Sequence, residues 1–334
     1  MELNEDISKK IEKLIEKYES MGQPLDSYLD GLLISNYLTY WDYIQVDTLL
    51  TLQNPKTDFP DETIFIMYHQ ITELYFKLCL SEFHQIGNNG KKIMPNGHDR
   101  GWNDNIDSKF LTQRITRINR YFEALTKSFD IMVDGMEKEQ FLRFRMALLP
   151  ASGFQSAQYR LIEIASTDLI NLVAKDAREK FSMKENSIQD LLEHIYWKQG
   201  ATELETGKKT LTLKQFETKY SEKFLAHANE YKNKNVWKKY KSLPEADQQN
   251  KDLIEAMKQL DINVNINWPL VHYKSAVRYL SNNNTDAPAT GGTNWQKYLP
   301  PRFQKRIFFP ELWSVTEKQE WGKSWVDNIK NAHN

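Results

Sequence analysis

Cysteine is almost missing: Cys79 is the single one in 334 residues. An intramolecular disulfide needs two and a thiolate zinc site more, so both are excluded, and a reducing, cytoplasmic setting is the expectation. Cys79 falls in the apolar row of a helix and reads as inert packing. Net charge is missing too. Lys plus Arg (44) against Asp plus Glu (45) leaves −1, which offers no electrostatic case for a nucleic-acid or membrane-surface partner. No apolar run approaches the roughly 18–20 residues that cross a bilayer. The first ten residues, Met1 to Lys10, are charged where a signal peptide needs an apolar core. Glycine (13) and proline (11) are sparse while aromatics reach 12%. That balance favours a helical protein with ring-lined pockets.

What is present is helical periodicity. Asp58-Phe59-Pro60-Asp61-Glu62 suits the positive end of a helix dipole. Ile64, Met67, Ile71, Leu74, Tyr75 and Leu78 then recur at three- and four-residue steps, predicting a helix whose wide apolar stripe faces the core. A second row carries Glu62, Phe65, His69, Thr72, Glu73 and Phe76, with Phe65 and His69 side by side. His69 is either a core histidine hydrogen-bonded to Glu73 or a working imidazole beside an aromatic ring. From 108 to 136, Leu111, Ile115, Ile118, Phe122, Leu125, Phe129, Met132 and Met136 alternate steps of four and three. Such a seam packs against other long helices and predicts an all-α bundle, taken as one catalytic domain over 1–334.

The remaining segments read more simply. Residues 5–20 form a surface helix ended by Gly22-Gln23-Pro24, and 26–52 mix Leu32, Leu33 and Leu50 with Tyr37, Tyr40 and Tyr43. The stretch from Gly87 to Asn105 reads as flexible, with His98 exposed and idle. Residues 165–262 read as a polar helical elaboration, without a phosphate loop or metal-ligand spacing, and with His194 and His227 at the surface.

Two further blocks carry chemistry. Phe141, Arg145 and Leu148 share one face of a helix that Pro150 breaks. Arg145 there either snorkels or pairs structurally, or grips a planar carboxylate in a fork. Ser152 with Gln155 is a capping box for the next helix, and a Ser152-Gly153 start also presents free N–H groups to a polarised oxygen. Later, Pro269 fits a first helical turn, and Trp268, His272, Ala276 and Tyr279 form one face. His272 is a hydrogen-bonded core imidazole or an axial ligand to haem iron, which needs one buried neutral imidazole.

These blocks, taken in order, resemble the tryptophan 2,3-dioxygenases. The matching strings are Leu38 to Leu50, Thr63 to Leu80, Pro150-Ala151-Ser152-Gly153-Phe154-Gln155-Ser156, His272 with Arg278 six residues on, and Ala289-Thr290-Gly291-Gly292-Thr293. Together they cover roughly 38–82, 141–163 and 268–313. The resemblance implies a cytoplasmic homotetramer with one haem b per subunit, ligated through His272, that opens the indole C2–C3 bond of L-tryptophan with O2. It assigns the amino-acid end of the substrate to Arg145 and Thr290, the ring to Phe65, Phe141 and Leu148, and the indole N–H to His69. Ser152 and the Gly153 amide would lie near the haem and its bound oxygen, and Tyr40 and Tyr43 would reach a neighbouring subunit's site. The stretch from His272 to Thr290 is longer than the family's. A haem monooxygenase of an indole or phenol amino acid, a haem-binding oligomer without turnover and a bare structural bundle are the rival expectations.

Overall fold

The computed structural model describes residues 4–94, 97–182, 186–199, 201–202, 208–281, 296 and 299–323. Helix dominates, and the one sheet among the described residues has two short strands, so the fold is all-α. Backbone packing divides the chain into two compact units, Met1–Leu52 with Lys91–Asn103, and Gln53–Gly90 with Asp104–Asn334.

The first unit holds α1 (Glu5–Ser20), α2 (Leu25–Ile34), α3 (Tyr40–Ile44) and α4 (Val46–Leu49). The Asn4 side chain caps α1, and Gly22 at φ +67° turns the chain after it. No residue of these four helices is buried. The segment read as flexible contains an antiparallel hairpin, β1 (Lys91–Ile93) with β2 (Asp99–Trp102). Its polar residues are what hold it: Lys91 pairs with Asp99 and lies over the Trp102 ring at 4.7 Å.

The second unit is built on α5 (Asp61–Gly87) and α6 (Ser108–Ser128), which pack along one another. All eight residues of the 108–136 seam are buried, although the helix breaks at Phe129 and resumes as α7 (Asp130–Val133). On α5 the structure reverses the expected orientation. Tyr68, Thr72, Phe76, Cys79, Phe83 and Ile86 face the core, whereas Met67, Ile71, Leu74 and Leu78 are 43, 41, 50 and 48% exposed. Both rows have helical spacing, and Thr72 is tolerated in the buried one because its hydroxyl donates to the Tyr68 carbonyl at 2.9 Å.

After α8 (Lys138–Phe144) the chain runs through a 3₁₀ turn, Arg145–Leu148, to α9 (Ala157–Ser166), where every residue but Gln158 is buried. Glu163 on α9 binds Arg160, Arg306 and the Tyr196 hydroxyl in a fully buried cluster. The middle segment holds α10 (Arg178–Ser182), α11 (Ile188–Glu193), α12 (Tyr196–Gln199), α13 (Leu211–Tyr231), α14 (Val236–Lys241) and α15 (Glu245–Gln248). Trp197, Phe216 and Phe224 of this segment pack together with Phe154 as part of the main core. His227 is not a surface residue: its Nε2 donates to the Leu161 carbonyl at 3.1 Å, and burial lowers its pKa.

α16 (Lys251–Ile262) belongs to the main core rather than to an elaboration, since Leu253, Met257 and Leu260 are buried where it packs on α6. It continues through a π turn, Asn263–Asn267, straight into α17 (Trp268–Leu280). Pro269 stands in the first turn of α17, as its sequence suggests, and the π turn that runs straight into it accommodates the missing N–H. Asp261 closes this run against the C-terminal aromatic segment, accepting from the Phe308 and Phe309 amides, Trp313 Nε1 and Asn265 Nδ2 at 2.7–3.1 Å. Burial pushes its carboxyl up to about 6 while these donors pull the other way. Among the described residues no helix is long and apolar enough to cross a membrane.

Candidate active site

His69 on α5 and His272 on α17 are prepared in the same way. His69 Nδ1 lies 2.7 Å from the Phe65 carbonyl, and His272 Nδ1 lies 2.8 Å from the Trp268 carbonyl, each one turn back on its own helix. A carbonyl only accepts, so both Nδ1 atoms carry the proton and both Nε2 atoms keep a lone pair. Neither Nε2 is hydrogen-bonded among the described residues. Burial favours the neutral ring in each case. It lowers the His69 pKa against the opposing pulls of the Phe65 carbonyl and the Glu73 charge. His272 is brought down to about 4, by burial first, with His69 contributing.

The helices that carry them meet common neighbours. α5 and α17 both pack on α7 and α8. Tyr68 meets Phe129 edge-on at 5.6 Å, and Phe129 and Trp268 flank His272 at 4.6 and 4.4 Å. On the other side Phe65 lies 4.1 Å from His69 and 6.2 Å from Phe141, and Phe141 lies 4.6 Å from Tyr279. Tyr279 donates its hydroxyl to the Val133 and Met136 carbonyls at 3.0 and 3.3 Å, tying α17 to the α7–α8 turn. Phe65, His69 and Phe141 thus belong to one ring cluster and His272, with Phe129 and Trp268, to a second, on helices that share α7 and α8 as neighbours.

Glu73 does not bond His69. Gln158 of α9 holds it instead, donating from Nε2 to the Glu73 carbonyl and to Oε2, both at 2.8 Å. Phe141, Arg145 and Leu148 do not share one regular helix either. Leu149 is extended because proline follows it, and the turn before it tightens to 3₁₀ from Arg145 onward. Arg145 is 8% exposed, which excludes snorkelling, and burial lowers its pKa. Leu148 is half-buried against the core.

The Ser152–Gln155 capping box is present, with the Gln155 side chain accepting the Ser152 amide at 3.2 Å. It caps only the three-residue turn Gly153–Gln155, while α9 takes Ser156 as its own cap. Thr212 of α13 pins this loop: its hydroxyl donates to the Pro150 carbonyl at 3.1 Å, and its carbonyl accepts from Gln155 at 3.2 Å. Gly153 borders open space, since a Cβ there would meet nothing within 4 Å. Tyr40 and Tyr43 stand on α3 of the first unit, 72 and 76% exposed. Thr290, with Gly291 and Gly292, lies outside the described residues.

Some residues that shape the site gave no local signal. The Asp61 carboxylate accepts the Glu137 amide at 2.6 Å and so fixes the start of α8. Glu62, fully buried, accepts the Lys56 and Thr57 amides at 2.7 and 2.8 Å and the Thr57 hydroxyl at 2.6 Å. A row analysis of Asp58–Glu62 sees only a helix dipole; the partners become visible with the fold.

The donor set fits a haem. Among the described residues no cluster of three His, Cys, Asp or Glu could hold a bare metal ion. An axial haem position needs one neutral imidazole with its second nitrogen anchored, and His272 is that. A separate groove on α6, lined by Lys109, Arg114, Arg117 and Arg120, has no such chemistry, as Arg114 and Arg117 are committed to Glu82 at 3.1 and 2.9 Å.

Comparison with known proteins points the same way. Tryptophan 2,3-dioxygenase from Bacillus thuringiensis subsp. konkukian is 27% identical over 289 residues, covering 84% of this chain and 92% of its own. The enzyme of that name from Ruegeria sp. is 36% identical over 126 residues, 38% of this chain and 40% of its own. The one from Xenopus tropicalis is 37% identical over 131 residues, 38% of this chain and 30% of its own. The model of the tryptophan 2,3-dioxygenase family matches residues 32–272, a span that takes in both prepared imidazoles and ends on the second, and the chain is a member of that family.

Proposed function

We propose that the chain is a haem-dependent oxidoreductase that adds both atoms of O2 across the indole C2–C3 bond of L-tryptophan, giving N-formylkynurenine. The observation that carries this reading is the pair of buried imidazoles with uncommitted Nε2 atoms, on two helices that both pack on α7 and α8. Haem b, one per subunit, would be held by His272 and would supply the binding and activation of dioxygen.

The side chains supply placement. His69 Nε2 accepts the indole N–H, which requires the unprotonated ring that burial favours. Phe65, Phe141 and Leu148 form the apolar wall for the ring. Arg145 takes the carboxylate as a fork, with Thr290 at the ammonium and carboxylate. Ser152 and the Gly153 amide border the oxygen side. Placement of this kind lowers a barrier by several kcal/mol. The same reading makes the protein a homotetramer, with Tyr40 and Tyr43 entering a neighbour's site. Their exposure, and that of the apolar Met67–Leu78 row, supports it.

The deciding experiment reduces the haem-loaded protein anaerobically, adds tryptophan and then oxygen, and identifies the product. Gain of two oxygen atoms is expected. Gain of one would establish monooxygenation instead, and haem absorption without tryptophan-dependent oxygen uptake would leave a haem-binding protein.

A further inference from the structure

α9 presents two consecutive side chains to two different helices. Gln158 reaches Glu73 on α5, and Tyr159 donates its hydroxyl to the Val264 carbonyl, in the π turn, at 2.9 Å. The second bond answers a defect in the backbone. Within the π turn the Trp268 amide reaches back five residues to the Asn263 carbonyl. Carried one residue on, that register assigns the Val264 carbonyl to the amide of residue 269, which is proline and has no N–H. Val264 is fully buried, so water does not serve its carbonyl, and an unmet buried acceptor is costly.

The phenol is well suited to the task. Its ring is buried and packs 5.5 Å from Phe76. Burial raises its pKa against the pull of Arg306, so it stays protonated and can donate. The other side of the turn is held by amides: Asn263 donates to Asn119 of α6 at 3.3 Å, and Asn267 donates to Asn263 at 2.9 Å. A π turn contains an extra residue, so it rotates everything downstream by about 100° relative to a continuous α-helix. His272 and its anchor at Trp268 follow immediately.

We propose that Tyr159 is a positioning residue for His272: by satisfying Val264 it holds the π turn, which sets where the His272 Nε2 lone pair points. The inference rests on His272 being the haem ligand, as proposed above.

The test is Tyr159→Phe, which keeps the ring and removes the hydroxyl, studied as the haem-loaded protein. Two readouts besides activity are used, the iron–histidine stretch of the ferrous form by resonance Raman and the rate of haem transfer to apomyoglobin. The stretch is expected to shift or split, and haem to leave roughly tenfold faster, the order expected for one buried hydrogen bond. Tyr240→Phe removes a comparable hydroxyl bond, 2.7 Å to the Gln248 carbonyl, and is expected to change neither. Adding Pro269→Ala to Tyr159→Phe restores an N–H for Val264 and is expected to recover both readouts, or folding itself if the single variant is unfolded. A wild-type stretch and transfer rate in Tyr159→Phe overturns the inference, as does a double variant no better than the single. Wild-type protein without an iron–histidine band removes the functional reading and this inference together.

Discussion

Glu163→Gln isolates the energetics of the buried charge cluster. Glu163 Oε2 takes Arg160 Nη1 at 3.0 Å, while Oε1 takes the Tyr196 hydroxyl at 2.5 Å and Arg306 Nη1. The three charged side chains are 9, 1 and 7% exposed for Arg160, Glu163 and Arg306, so solvent screens them little. Glutamine keeps the volume and one acceptor oxygen, and removes the charge that two guanidiniums share. Breaking one buried pair costs about 3–5 kcal/mol. Two cations lose a partner here, which puts the expected loss near 5 kcal/mol, against a total stability of about 5–15 kcal/mol for folded proteins. The measurement is a urea titration followed by tryptophan fluorescence, with a large fall in midpoint expected. A companion variant, Arg160→Met with Glu163→Leu and Arg306→Met, removes every charge at similar volume and is expected to recover much of the loss. A loss below about 1 kcal/mol for Glu163→Gln would refute the reasoning, because it would mean the two cations do not depend on this carboxylate.

Other perturbations test the site's supports. Glu62→Ala should raise hydrogen exchange at the Lys56 and Thr57 amides by about tenfold or more, read on peptides covering 53–60; unchanged exchange there would deny Glu62 that role. Burial raises the Glu62 pKa, but its three donors and the Lys56 charge outweigh this and leave it below the ordinary glutamate value. Its contribution is therefore complete above the ordinary glutamate value and lost as pH falls through the lower folded one, so Glu62→Gln should flatten the acid limb of a stability profile. Arg145→Ala should raise KM for tryptophan while the haem spectrum persists, and His272→Ala should lose normal haem ligation; native spectrum and activity in the latter would refute the ligand assignment. Leu74→Glu places a charge in the exposed row of α5 and should reduce the particle mass seen by light scattering at unchanged helicity.

The sequence was most legible where one face alone was apolar. The 108–136 seam has polar residues on its remaining sides, so all eight positions that periodicity picks out are buried, while buried Asn119 and Val133 fall outside the pattern. α5 is apolar on two rows, and spacing alone does not decide which one the fold covers; the buried row even admits a threonine, whose hydroxyl bonds its own backbone. Phe65, His69 and Phe141 were legible as neighbours because they stand on helices of readable phase. Local patterns misplaced Glu73, whose partner Gln158 is 85 residues away. Pro269 does mark the first turn of α17, but its sequence gives no sign that a π turn carries the helix straight into it. The hairpin was missed because a Lys–Asp pair and a cation over a tryptophan look, in sequence, like any polar loop.

The tether from each imidazole to the carbonyl one turn back makes the position of its proton a local affair. No residue from another element is needed to choose the tautomer, so the choice is made as soon as α5 or α17 forms a turn. The walls and loops around the two rings can then diverge, changing which molecule fits and how strongly burial favours the neutral form, while the tautomer of His69 and His272 stays the same.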